Sequence, residues 1–290
     1  MKPLYTRLQE VRKRLGLPWE VLERDYVQSW ILGGIGRVAD LRDVLALKGG
    51  TALRKCYFGD YRLSEDLDFT GLEDVPVGME MEDAIEEVCS EATALLEEYS
   101  AVEIACERYT EKEPHPAGQE AFIIRVRLPW HRRPQLRVMI EITVDEPVQR
   151  GIQQRMILHD FGEPFKLSIG VYSLEEIIAE KLRAILQHVR ILEERGWSRS
   201  RARDFYDLWR ILNTYSDQLN LAGFNEFLSV KCAVRDVAFN SAEDFFPETV
   251  LYHVENSWEQ WLGTLVPGLP PFETVVNQLR PQIETLLSMP

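Results

Sequence analysis

The hydrophobic period changes once along the chain, and that change limits the fold more than any other feature. As far as residues 165–172 the apolar residues include period-two runs, with strand candidates at 101–106, 121–128 and 135–144 and a short addition at 166–172. Beyond that point they recur only at helical spacing, over 174–194, 201–214, 222–231, 254–262 and 271–287. Ser173 followed by Glu176 reads as a capping box that opens the first of these helices. Earlier helices are expected over 18–35, where Trp19, Leu22, Tyr26, Trp30 and Ile31 are helically spaced, and over the acidic stretch 80–99. Leu41–Leu47 suits either helix or strand, Thr51–Phe58 a short helix, and Leu67–Phe69 a strand. His115, Pro116, Ala117 and Gly118 spell a turn. The class is therefore α+β: a mixed sheet with flanking helices over 1–168, then a mainly helical domain over 169–290. Neither internal repeats nor a low-complexity linker interrupt it.

Several classes drop out. No apolar run reaches the length of a membrane-spanning helix, and MKPLYTRLQEVRKRLG reads as a polar amphipathic helix without a signal core. Cys56, Cys89, Cys106 and Cys232 lie far apart, which fits reduced thiols and a cytoplasmic protein. Five scattered histidines lack zinc spacing. The net charge is −14, but residues 71–113 alone carry −12. Arg125, Arg127, Arg132, Arg133 and Arg137 fall in a stretch without acids, and Arg195, Arg199, Arg201 and Arg203 form another. These arginines either make a basic face for a polyanion or solvate strand edges and a helix start.

The densest chemistry lies in KGGTALRKCYFGDYRLSEDLDFT, residues 48–70. Lys48, Gly49, Gly50 and Thr51 offer a bare backbone turn, a hydroxyl and a following helix start, which together can cradle a phosphate. The P-loop pattern is absent. Asp66 and Asp68 are two residues apart, so on a strand they project side by side with Leu67 and Phe69 opposite. Such a pair is either a clamp for a divalent cation or a solvated strand edge. In LRVMIEITV, Val138, Ile140, Ile142 and Val144 form one face, and Glu141 lies on the other with Met139 and Thr143. A strand this apolar belongs inside the sheet, and if it neighbours Asp66 and Asp68, Glu141 completes a carboxylate set for metal. Lys181 falls inside the apolar stripe of its helix, where it either snorkels to the edge or reaches a cleft as a fixed cation. Asp204 either orients Lys181, binds metal or stabilises the start of its helix.

The order of these pieces resembles the AbiEii/AbiGii-type nucleotidyltransferase toxins, which include MenT-like toxins. The resemblance rests on GGT, SEDLDF, a strand with a central acid, an EKL helix and RARDFYDL, with LERDYVQSWIL as the opening helix. It spans roughly residues 20–215. It implies a polymerase β-like nucleotidyltransferase core, Mg²⁺ as cofactor and an NTP as substrate. It also implies that Lys48, Gly49, Gly50, Thr51, Ser64 and Lys181 bind nucleotide, and that Asp66, Asp68 and Glu141 hold the metal. Lys181 and Asp204 would join those three acids in catalysis. Arg125, Arg127, Arg132, Arg133, Arg199 and Arg201 would then meet RNA, for which the family suggests the tRNA acceptor end. A cognate antitoxin protein is a further implied partner. Thr51 stands where serine is usual, Arg203 where lysine is usual, and Glu141 where many relatives have aspartate. Two other readings keep the fold: transfer to a protein or small molecule, and a non-catalytic member that binds nucleotide or a partner.

Overall fold

A computed structural model describes residues 1–111, 119–197 and 199–288; the turn expected at His115–Gly118 lies outside them. The chain divides into two compact units. One comprises 1–146 with 152–172, and the other 147–151 with 173–290.

The first unit is built on a seven-stranded sheet. Its strands are β1 Leu45–Lys48, β2 Leu67–Gly71, β3 Glu103–Arg108, β4 Glu120–Arg127, β5 Leu136–Thr143, β6 Ile152–Met156 and β7 Ser168–Tyr172. Their order is β3-β4-β5-β2-β1-β7-β6. The sheet is mixed. β2 runs parallel to β5, and β1 is antiparallel to β2 but parallel to β7. The three strands expected after residue 100 appear with ends shifted by one or two residues. Two short strands were not legible. β1 resolves the ambiguous 41–47 stretch: α3 Ala39–Arg42 takes its start and Leu45–Lys48 pairs on both sides. β6 reads IQQRM and has one pairing neighbour, so it lies at a sheet edge and needs little apolar content.

Helices α1 Leu4–Leu15, α2 Trp19–Ile35 and α5 Met79–Glu97 accompany the sheet. α2 is buried on nearly every side, which is why its apolar stripe is indistinct in sequence. It packs against α5 and β5. Its buried Glu23, Asp25, Gln28 and Ser29 each make a hydrogen bond or ion pair, and two of these residues hold pieces of the candidate site described below.

The second unit is helical: α6 Leu174–Arg195, α7 Ala202–Tyr215, α8 Phe224–Ala233, α9 Glu248–Leu262 and α10 Phe272–Ser288. Ser173 caps α6 by accepting from the Glu176 N–H at 3.3 Å. Glu176 does not complete the expected box. Its buried carboxylate instead accepts the N–H groups of Gln149 and Arg150 at 2.6 and 2.7 Å. Lys231, also buried, pairs with Glu176 at 2.8 Å and donates to the Pro147 carbonyl at 2.8 Å. These bonds explain why 147–151 belongs to the helical unit although it precedes β6.

Candidate active site

β1 turns into a helix at the two glycines. Gly49 has φ +70°, a conformation glycine adopts without strain. A Cβ there would lie 2.9 Å from an Asp68 carboxylate oxygen, and one at Gly50 would lie 2.7 Å from the Arg62 guanidinium. The glycines therefore leave space for an anionic and a cationic side chain against the same turn. The short helix α4, Gly49–Ala52, runs into a wider π-type turn over Leu53–Tyr57.

The sheet register supplies the rest. Lys48 on β1 is opposite Asp68 on β2, and Asp68 is opposite Glu141 on β5. Residues in register share a face, so Lys48, Asp68 and Glu141 form a row across three strands. All three are half-buried. The neighbourhood of β2 and β5, on which the carboxylate set depended, is thus present. Lys48 Nζ lies 3.5 Å from Thr143 Oγ1 and 5.9 Å from the centre of the Tyr172 ring. β2 begins at Leu67, so Asp66 sits one residue before the strand rather than within it. Thr51 is 0% exposed, and its hydroxyl donates to the Asp66 carbonyl at 2.5 Å. The hydroxyl expected to face a phosphate instead ties the glycine turn to the acidic loop.

Sequence reasoning missed the residues that brace this arrangement. Gln28 donates to the carbonyls of Ser64 and Glu65 at 3.1 and 3.0 Å, fixing the loop that carries Asp66. Lys55, 1% exposed, lies 2.9 Å from Asp25 and donates to the Ser29 hydroxyl at 2.9 Å. Arg54 adds a contact of 3.3 Å to Asp25. Burial pushes the Asp25 carboxyl up, but Lys55 and Arg54 outweigh it and hold the group below its ordinary value. Burial drives the Lys55 ammonium down to about 8 despite Asp25. Arg62 is buried beside the turn, with its guanidinium 5.6 Å from the Tyr61 ring centre. Their place beside the helically spaced apolar residues of α2 was the available signal for Asp25 and Gln28. Nothing in sequence distinguishes Arg62.

In the helical unit, Lys181 Nζ lies 3.0 Å from Asp204 and 2.6 Å from Asp207. Among the roles left open for Asp204, holding this lysine is one it performs. Burial raises the Asp204 carboxyl, while Lys181 and Arg201 lower it and prevail. Arg201, expected at an RNA face, approaches Asp204 at 3.4 Å. Arg199 lies over the Trp261 ring at 5.7 Å. Two members of the other arginine cluster are paired by β3: Arg125 with Glu107 at 2.5 Å, and Arg127 with Glu103. Arg132 and Arg133 are exposed and make no ion pair among the described residues.

Among the described residues, no three acid, imidazole or thiol groups converge into a finished metal site. The chemistry of the donors still fits a hard divalent cation. Asp66, Asp68 and Glu141 are carboxylates, half-exposed and carried by adjacent segments.

The family model for the nucleotidyl transferase AbiEii toxin of type IV toxin–antitoxin systems matches residues 30–284. The chain belongs to the AbiEii family. Members of this family are nucleotidyltransferase toxins, so the expected family and transferase class hold. MenT4, a nucleotidyltransferase toxin from Mycobacterium tuberculosis H37Rv, superimposes with a TM-score of 0.55 at 19% identity, covering 97% of this chain and 98% of that one. That likeness supports the α+β nucleotidyltransferase fold expected for an AbiEii chain. No curated protein matches in sequence. No helix among the described residues is long and apolar enough to cross a membrane.

Proposed function

We propose that this AbiEii chain transfers a nucleotidyl group from an NTP, with Mg²⁺, to RNA, and that a tRNA acceptor end is the substrate. The observation that carries the reading is the row Lys48–Asp68–Glu141 with the Gly49–Gly50 turn at one end. The turn presents backbone N–H groups and the Arg62 guanidinium, which suit the oxygens of a triphosphate. Lys48 and Ser64 flank the same residues in sequence. Asp66, Asp68 and Glu141 would hold Mg²⁺, which when bound screens phosphate charge and acidifies an attacking hydroxyl. Thr51 acts through Asp66, as a positioning residue that keeps turn and acids in register. Lys181, fixed by Asp204 and Asp207, is proposed as a cation toward nucleotide phosphate. The protein acts in the cytoplasm beside a cognate antitoxin.

The remaining basic residues for RNA are Arg132, Arg133 and Arg199, since Glu107, Glu103 and Asp204 engage Arg125, Arg127 and Arg201. That neutralisation favours a second reading, transfer to a protein acceptor.

The test offers each of four α-labelled nucleotides in turn with Mg²⁺, with and without total tRNA, alongside Asp66→Ala. Label on tRNA that disappears in the variant supports RNA transfer and names the nucleotide. Label on protein alone selects the second reading. A folded wild-type chain that labels nothing refutes both.

A further inference from the structure

Two thiols outside this site meet across the α5–β3 contact. One strand face of β3, carrying Ile104, Cys106 and Arg108, looks toward α5. At one end Arg108 pairs with Glu82 of α5 at 3.1 Å. At the other, Ile104 and Glu103 line an open groove of about 850 Å³ with Ser90, Thr93 and Glu97 of α5. Cys106 lies between those ends on the strand, and Cys89 lies between them on the helix. α5 and β3 pack against each other there, the two side chains are close enough to interact, and both are free thiols.

The two sulfurs are not equivalent. Cys89 is buried, whereas Cys106 is half-exposed. The neighbouring Cys89 holds the Cys106 thiol below its ordinary value, and the same contact, with burial, pushes Cys89 up. Cys56 and Cys232 differ from both. Each is buried, and burial raises them to about 12 and about 11. A half-exposed, acidified thiol beside a second, buried thiol is the arrangement of a peroxide-reactive pair.

We propose that Cys106 and Cys89 are an oxidative modification site, at which a hydroperoxide converts the α5–β3 contact into a covalent link. The Cys106 thiolate attacks one peroxide oxygen; the O–O bond breaks and hydroxide leaves, giving a sulfenic acid. Cys89 loses its proton and attacks that sulfur; the S–O bond breaks, water leaves and the S–S bond forms. Two thiols are oxidised to one disulfide, and one hydrogen peroxide is reduced to two waters. The link closes a loop of roughly eighteen residues, a length that constrains the unfolded chain appreciably.

The experiment treats the reduced full-length protein with one equivalent of hydrogen peroxide, followed by thiol titration, intact mass and peptide mapping. The expected product has lost two of four thiols and two hydrogen atoms, with Cys89 and Cys106 in one cross-linked peptide. Its melting midpoint rises by roughly 5 °C, and dithiothreitol reverses the rise. Cys89→Ser should leave Cys106 as a sulfenic acid trapped by dimedone, and Cys106→Ser should leave peroxide consumption near that of Cys56 and Cys232. Four thiols reacting at similar rates, or a disulfide between chains only, would overturn the proposal. The wild-type peptide map decides even where a variant folds poorly.

Discussion

The sheet unit and the helical unit each gather acids, and they treat them in opposite ways. Asp68 and Glu141 stand in register on neighbouring strands, half-exposed, at the end of a glycine turn. Asp204 and Asp207 lie one turn apart on α7 and close on an internal cation, Lys181, at 3.0 and 2.6 Å. The first pair is half-exposed, in register with Lys48 and beside the glycine turn, which suits a cation from solution. The second carries its own cation in a buried place, which suits fixing a lysine. Exposure and the presenting element thus leave the same residue type either open toward solvent or closed on an internal cation.

The largest expected break in this contrast comes from Asp68→Asn. Nucleotide transfer should fall by about 10³-fold, while circular dichroism and the melting midpoint stay near wild type, because the change is isosteric at a half-exposed position. Lys181→Met should lower stability as well as transfer. It removes the cation that both acids share, Asp207 being fully buried, and urea unfolding should show a loss of about 3 kcal/mol. If Asp68→Asn proved the more destabilising of the two, the division drawn between the acid pairs would be wrong.

Acidity sharpens the comparison further. His188 is 0% exposed, and burial, with Arg201 and His253 nearby, lowers its imidazole to about 4. The unfolded chain binds that proton near 6.5, whereas the folded helical unit binds it only near 4. Stability is therefore fully present above pH 6.5 and declines as pH falls toward 4, on the order of 2 kcal/mol. His188→Leu should flatten unfolding free energy across that window. Glu163 in the sheet unit works at lower pH. Burial raises it, but His159, Arg7 and Tyr26 lower it to about 2, so its contribution is lost between about pH 4.5 and 2. Glu163→Gln should remove that later decline.

Thr51→Val should cost about 1 kcal/mol, because the buried Asp66 carbonyl loses its donor, and should slow transfer with little change in nucleotide affinity. The smallest effect belongs to Arg125→Ala. Its exposed pair with Glu107 is screened by solvent and adds little to stability, and RNA retention on a salt gradient should shift less than for Arg132→Ala.

Much of the site was legible because it is local. Asp66, Asp68 and the glycines fall within twenty residues, and the face of Glu141 follows from alternation in LRVMIEITV. Lys181 and Asp204 were visible as polar residues beside apolar stripes. What escaped was nonlocal. β1 is four residues long and gains its identity from pairing on both sides. Glu176 looked like a capping residue, but the backbone of 149–150 claims its carboxylate. Arg125 and Arg127 looked like a basic cluster because their acidic partners come from another strand. In each case local propensity was sound and a distant segment redirected the side chain.

The bond from Thr51 to the Asp66 carbonyl also sets a limit on transplantation. Gly49 lies against Asp68 and Gly50 against Arg62, so residues 48–68 interlock at three points. An engineer grafting this chemistry onto another scaffold, or building a chimera between relatives, cannot move the glycine turn and the acids as separate inserts. The smallest portable cassette is the whole stretch from Lys48 to Asp68, with its foundation on α2 carried along.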